Sequence, residues 1–256
     1  YSHMRPDDPV GNPGAPGRSP LYMFWGNTAT TANSTPESLR AGGNGTCRGG
    51  IVDRSAYYVP ALINTRTRTP VAPNHASVYF DSGQPVDPAS VRPFPPGLRM
   101  VAGNPAATGS QPVGGWICRP TYTGVFASVP TCPDGKVEYR LYFPRCWDGV
   151  RLDSPDHRSH VAYVANGRCP AGYPVALPEI SYHLQYDLDA DAASYRLATD
   201  TYPAGQPGGA SVHGYWVNGW EPEIQAVWIE RCVKARANCG SHLLGDGRQL
   251  TGVGAD

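Results

Sequence analysis

The stretch VEYRLYFPRCWDGVRLDSPDHRSHVAYV, Val137 to Val164, decides how this chain folds. Its ends, VEYRLYF and HVAYV, alternate apolar and polar residues with the period of two that buries one face of a strand and leaves the other in water. Between them stand Asp148, Asp153, Asp156, His157 and His160, so the middle is read as a polar loop pinned at both ends by sheet. A loop held in this way positions titratable groups on a rigid frame.

Working outward, Gly114–Cys118 and Ile180–Leu188 repeat the strand pattern, and Ala56–Leu62, Ser77–Phe80 and Leu98–Ala102 add shorter β-type runs. No amphipathic helix long enough for a parallel crossover separates them. The expected fold is therefore mostly β, an antiparallel β-sandwich or jelly roll with long loops. One C-terminal helix is expected at about 221–237, opened by Glu221-Pro222-Glu223, with Ile224, Val227, Trp228 and Cys232 on its core face. A single helical turn is expected after the N-cap Thr35 and Pro36, ending at Gly42-Gly43.

Composition narrows the function classes. The 30 glycines and 27 prolines are spread along all 256 residues, which suggests many turns within one domain spanning 1–256. Basic and acidic residues balance at 21 each, and only Lys136 and Lys234 are lysines, so nothing draws nucleic acid or anionic lipid. No apolar run reaches membrane-spanning length. The seven cysteines lack the CxxC spacing of a structural zinc site and read as disulfides, which implies a secreted, extracellular protein, expected as a monomer. Cys232 with Cys239, Cys118 with Cys132 and Cys146 with Cys169 close modest loops and leave Cys47 over.

CWDGVRLDSPDHRSHVAY, with RPFPPGLRMVAGNP before it, CPAGYPVALPEISY after it and NCGSHLLGDGR near the end, resembles the secreted domain-of-unknown-function family nineteen-ninety-six of bacteria and filamentous fungi, from about Ser2 to Arg248. The resemblance implies a role at polysaccharide or cell-wall surfaces, because fungal relatives carry this domain beside sugar-binding modules. It also implies a Ser-His-x-His motif where this chain has Ser19-Pro20-Leu21-Tyr22, so two of the family's histidines are replaced here. Relatives carry a cysteine just before the segment matching Tyr1-Ser2-His3, which the resemblance offers as the partner of Cys47.

Two chemistries compete for the central loop. His157 and His160 have the i, i+3 spacing of a metal pair, with Asp153 or Asp156 as oxygen ligand and His3 or His213 to complete it, but HxxH is a weak signal and no metal or other cofactor is expected. Paired carboxylates, Asp148 with Asp153 or Asp156 with Glu179, are the alternative, as acid and base on a glycosidic bond. The candidate catalytic residues are thus Asp153, Asp156, His157, His160 and His213. His213 enters because HGYWVNGW (His213–Trp220) alternates as a strand, with His213, Tyr215, Val217 and Gly219 on one face. Tyr22, Trp25, Trp147, Trp216 and Arg99 are the candidate substrate-binding residues, aromatic rings for stacking and a guanidinium for a carboxylate. The ligand is a polysaccharide or a small molecule. Three functions follow: a glycan-active enzyme using the Asp/His loop, a non-catalytic carbohydrate-binding domain, or a protein whose altered Pro20–Trp25 segment shapes a pocket for a hydrophobic metabolite. The loop, the 213–220 strand and the 19–27 segment are expected to converge on one concave site.

Overall fold

The computed structural model describes residues 1–83, 86–122, 124–240 and 242–252. In chain order the strands are β1 (His3–Arg5), β2 (Tyr22–Gly26), β3 (Ala56–Pro60), β4 (Leu62–Asn64), β5 (Thr69–Val71), β6 (His75–Asp81), β7 (Arg99–Gly103) and β8 (Gly114–Cys118). They continue as β9 (Lys136–Tyr142), β10 (Cys146–Trp147), β11 (Val161–Ala162), β12 (Val175–Ala176), β13 (Glu179–Asp187), β14 (Tyr195–Leu197) and β15 (His213–Val217). A five-stranded sheet, β1-β2-β3-β15-β7, faces a four-stranded one, β6-β13-β9-β8, and all pairings within them are antiparallel. The chain is mostly β, as its alternation predicts. Two small three-stranded sheets, β11-β10-β12 and β14-β4-β5, complete the fold.

The core lies between the two large sheets. Met23, Trp25, Tyr57, Val59, Met100 and Trp216 from the first meet Trp116, Tyr139, Leu141, Ile180, Tyr182 and Leu184 from the second. Tyrosines buried here must satisfy their hydroxyls, and they do so across the gap: Tyr139 Oη donates to the His213 carbonyl (2.6 Å) and Tyr182 Oη to that of Tyr215 (2.7 Å). Gly214, between those two carbonyls, leaves the room the sheets need, since a Cβ there would stand 2.9 Å from Leu141 Cδ2 and 3.1 Å from Val59 Cγ1. The outer face of the five-stranded sheet is covered as well. Val10 from the N-terminal arm and Leu39 from helix α1 (Pro36–Ala41) close over Tyr22, Phe24, Tyr58 and Tyr215. Helix α1 starts as expected at Thr35, and Ser38 completes a reciprocal capping box with it.

The C-terminal helix, α2 (Pro222–Trp228), continues through Ile229–Lys234 in π-helical geometry. Its buried residues are Gln225, Trp228, Ile229 and Val233, whereas Ile224, Val227 and Cys232 are only partly buried, so the expected core face is turned by about one position. The cause is polar: Gln225 Nε2 reaches inward to Asn218 Oδ1 (3.3 Å). Cys118–Cys132, Cys146–Cys169 and Cys232–Cys239 form the expected disulfides. Cys47 is free, and burial pushes its thiol pKa far up.

Asp53 lies fully inside, accepting from Tyr57 Oη (2.7 Å) and the Ser55 amide (3.2 Å). Burial raises its pKa from 3.8 to about 6 despite these bonds. Between those two values the unfolded chain ionises and the folded one does not, so Asp53 withdraws stability as pH rises from about 4 to 6, by about 3 kcal/mol. Asp53→Asn, which keeps an acceptor for Tyr57, is expected to gain that much on the parent over this interval in urea unfolding. A constant difference at pH 4 and pH 7 would contradict it.

Candidate functional site

The central loop is held by the small β11-β10-β12 sheet and the Cys146–Cys169 disulfide, and most of its polar groups are spent on its own shape. Asp156 Oδ1 collects the amides of Ser159 (2.9 Å) and Arg158 (3.1 Å) and the hydroxyls of Ser154 (2.7 Å) and Ser159 (2.9 Å), and these bonds, the Ser159 amide first, hold its pKa far below the carboxylate range. His160 is fully buried, with Nδ1 on Ser154 Oγ (2.9 Å) and Nε2 donating to the Arg99 carbonyl (2.6 Å). It therefore clamps the loop to β7 and offers no nitrogen to a substrate. Asp148 receives the Val150 and Arg151 amides and the Arg151 guanidinium, which outweigh its partial desolvation and keep it ionised.

Three of the expected residues do come together at the surface. Asp153 accepts from Arg99 Nη1 through Oδ2 (2.9 Å) and lies against His157 Nδ1 through Oδ1 (2.9 Å), and all three side chains are half-buried. Desolvation works to raise the Asp153 pKa, but the bonds from His157 and Arg99 win and lower it. His157 takes a left-handed backbone, φ 55°, to make this contact. The two histidines thus face different partners instead of sharing one ion. Among the described residues no three metal-ligating side chains gather. Of the carboxylates considered as pairs, Asp148 and Asp153 bind different arginines, Arg151 and Arg99, and Glu179 lies on β13 beside Arg145 (3.7 Å).

The aromatic candidates are corrected more sharply. Every tryptophan except Trp147 is buried, so Trp25 and Trp216 pack the core and do not line a ligand surface. Trp147, half-buried, donates its indole N–H to the Arg151 carbonyl (2.6 Å) and braces the loop. Tyr22 is buried beneath the N-terminal arm on the outer face of the five-stranded sheet.

An unexpected polar and aromatic surface lies instead on the outer face of the four-stranded sheet. Pairing puts Tyr79, Ser181 and Tyr142 in one row across β6, β13 and β9, and Ser77, His183, Arg140 and Gly115 in the next. Tyr79 and Tyr142 are 54% and 37% exposed, and two strand spacings set them about 10 Å apart. Both rings stand edge-on to His183, at 4.9 and 6.3 Å between centroids. Below them Glu138, buried, accepts from His183 Nδ1 (2.9 Å) and from Arg140 Nε and Nη2 (2.8 and 2.6 Å). The signal was present in the sequence, because Glu138, Arg140 and Tyr142 are alternate residues of VEYRLYF, but the exposed side of that alternation only marks a strand until its neighbours are known.

His213, the other expected catalytic residue, is fully buried at the end of β15. Its Nδ1 donates to the Ser211 carbonyl (2.7 Å), which leaves Nε2 to accept from Tyr22 Oη (3.1 Å). Tyr22 and His213 do meet, then, as a closed contact within the fold. Desolvation lowers the His213 pKa from 6.5 to about 4. A base depressed in the folded state contributes stability that is full above pH 6.5 and lost as pH falls toward 4, here about 3 kcal/mol. The sign is opposite to that of Asp53, so the two slopes offset one another in the parent protein and each is exposed by removing the other. His213→Gln should remove this acid loss and leave the Asp53 slope exposed, with stability falling as pH rises from about 4 to 6, and the His213 ring resonances of the parent should titrate near pH 4. Titration near pH 6.5 would refute the buried neutral ring.

No curated protein and no solved structure matches the chain. A family model does match, over residues 8–220, a span that holds nearly all of both large sheets and the whole central loop but stops before α2. The chain therefore belongs to the family described as domain of unknown function DUF1996.

Proposed function

We propose that this protein works outside the cytoplasm at polysaccharide or cell-wall material, and that it does so by binding glycan on the outer face of the four-stranded sheet. The observation that carries the reading is the row Tyr79–Ser181–Tyr142 with His183 and Arg140 beside it. Exposed rings on a rigid sheet, backed by hydrogen-bonding side chains already fixed by a buried carboxylate, supply what a sugar chain needs: flat apolar faces for its C–H groups and oriented partners for its hydroxyls. The three disulfides support the extracytoplasmic location.

The loop argues against the enzyme reading. Acid–base hydrolysis of a glycosidic bond requires one carboxyl group whose pKa is raised so that it carries a proton. Asp148, Asp153 and Asp156 are all lowered, and the candidate carboxyl that desolvation raises, Glu179, lies on β13 beside Arg145 and not in the loop. The metabolite reading loses its pocket, because Trp25 and Tyr22 fill space inside the fold.

Tyr79→Ala and Tyr142→Ala should each weaken binding to a polysaccharide selected from an insoluble-glycan pull-down by about three- to tenfold. Asp153→Asn and His157→Ala should leave it unchanged. Release of reducing ends by the parent protein, abolished by Asp153→Asn with the fold intact, would overturn this reading in favour of an enzyme.

A further inference from the structure

The same sheet face carries an unbalanced charge at one end. Glu138 is shared by two guanidiniums, with Arg140 Nη2 at 2.6 Å from Oε1 and Arg119 Nε at 3.5 Å from Oε2. Its own side chain is only 3% exposed, so solvent does little to screen the group. Tyr122 lies over both guanidinium carbons, at 5.5 and 5.7 Å from its ring centre, and its hydroxyl accepts from Arg119 Nε (2.9 Å). Arg140 spends Nε and Nη2 on Glu138, and among the described residues neither its Nη1 nor the Nη atoms of Arg119 meet an acceptor. One carboxylate against two arginines leaves a net positive charge held in place and partly out of water.

Beside this pair opens a cleft of about 270 Å³, lined among others by Arg140, Tyr142, Gly114, Gly115 and Val125. Its floor is bare for a packing reason: a Cβ on Gly115 would stand 2.5 Å from Val125 Cγ1 and 2.7 Å from the Phe126 carbonyl. The cleft thus has a tyrosine wall continuous with the Tyr79–Tyr142 row and a guanidinium at its end. An arginine edge with two N–H groups matches a carboxylate in its plane.

We propose that this cleft is an acidic-sugar subsite, taking the ionised carboxylate of a uronic acid residue within the bound polysaccharide. The proposal rests on the glycan-binding reading of the same face and names its ligand class. Arg140 pairs with the carboxylate from the cleft wall, Arg119 keeps the net charge positive by sharing Glu138 behind it, and Tyr142 lies along the ring of the same sugar.

Titration calorimetry on the full chain, with a galacturonic acid oligomer and its fully methyl-esterified form, separates this claim from the reading beneath it. The ester keeps the sugar rings and removes the charge. The acid form is expected to bind at least about tenfold more tightly at low salt, with the gap narrowing as ionic strength rises. Arg119→Gln, which leaves Arg140 to neutralise Glu138 and so spares the fold, should bring the acid form to within about threefold of the ester, while Tyr79→Ala should weaken both forms alike. Equal binding of acid and ester by the parent protein, still dependent on Tyr79, would overturn the subsite and leave the glycan surface standing. The subsite also falls if binding of the acid form is indifferent to Arg119→Gln. Absence of binding to both oligomers and to any insoluble polysaccharide would remove both readings together.

Discussion

The fold depends on how β15, an interior strand of the five-stranded sheet, is gripped from the opposite sheet. Its carbonyls at His213 and Tyr215 accept hydroxyls from Tyr139 and Tyr182, and Gly214 between them lets the sheets approach. Aromatic rings bury much apolar surface, but a buried hydroxyl without a partner costs more than the bond is worth. The arrangement resolves that conflict by making each hydroxyl a fixed peg, so packing and polar satisfaction select the same register. The register in turn decides which side chains of β9 and β13 look outward, and hence which rings and charges the protein shows to a ligand.

A division of labour follows. The densest cluster of reactive side chains, around Asp156 and His160, shapes a loop, and a fully satisfied network of this kind rigidifies without offering free valences. The sparser face of the four-stranded sheet keeps its rings in water and has guanidinium edges to spare. Density of titratable residues is therefore a poor guide to a site here, because turns recruit the same Asp, Ser and His side chains to cap backbone amides.

Much of this was legible before any coordinates. Alternation in Val137–Phe143 and Ile180–Leu188 identified strands, cysteine spacing identified three disulfides, and Thr35-Pro36 marked a helix start, since each signal is local. The faces of HGYWVNGW were also read correctly, with Tyr215 and Val217 on one side and Trp216 on the other. What escaped was set at a distance. Tyr79 and Tyr142 lie far apart in the chain and become neighbours only because β13 joins β6 to β9. Trp25 and Trp216 look the same in sequence whether they line a cleft or fill a core, and the opposing sheet decides. The helix face turned where Gln225, which was not among the expected core residues, found Asn218 inside.

The position of β15 in the chain has a bearing on biogenesis. Its two neighbours in the sheet, β3 and β7, are made early, whereas β15 begins only at His213, so the five-stranded sheet lacks the strand that joins them until that late segment has been made. Until then β3 and β7 each present an unpaired apolar edge. A chain whose closure waits on so distant a segment folds slowly and exposes itself to wrong partners meanwhile. The Cys118–Cys132 and Cys146–Cys169 pairs both lie upstream of β15 and can be joined before it arrives, which makes them staples for the waiting half of the sandwich. The order of the strands thus lets both loops close before the core is complete.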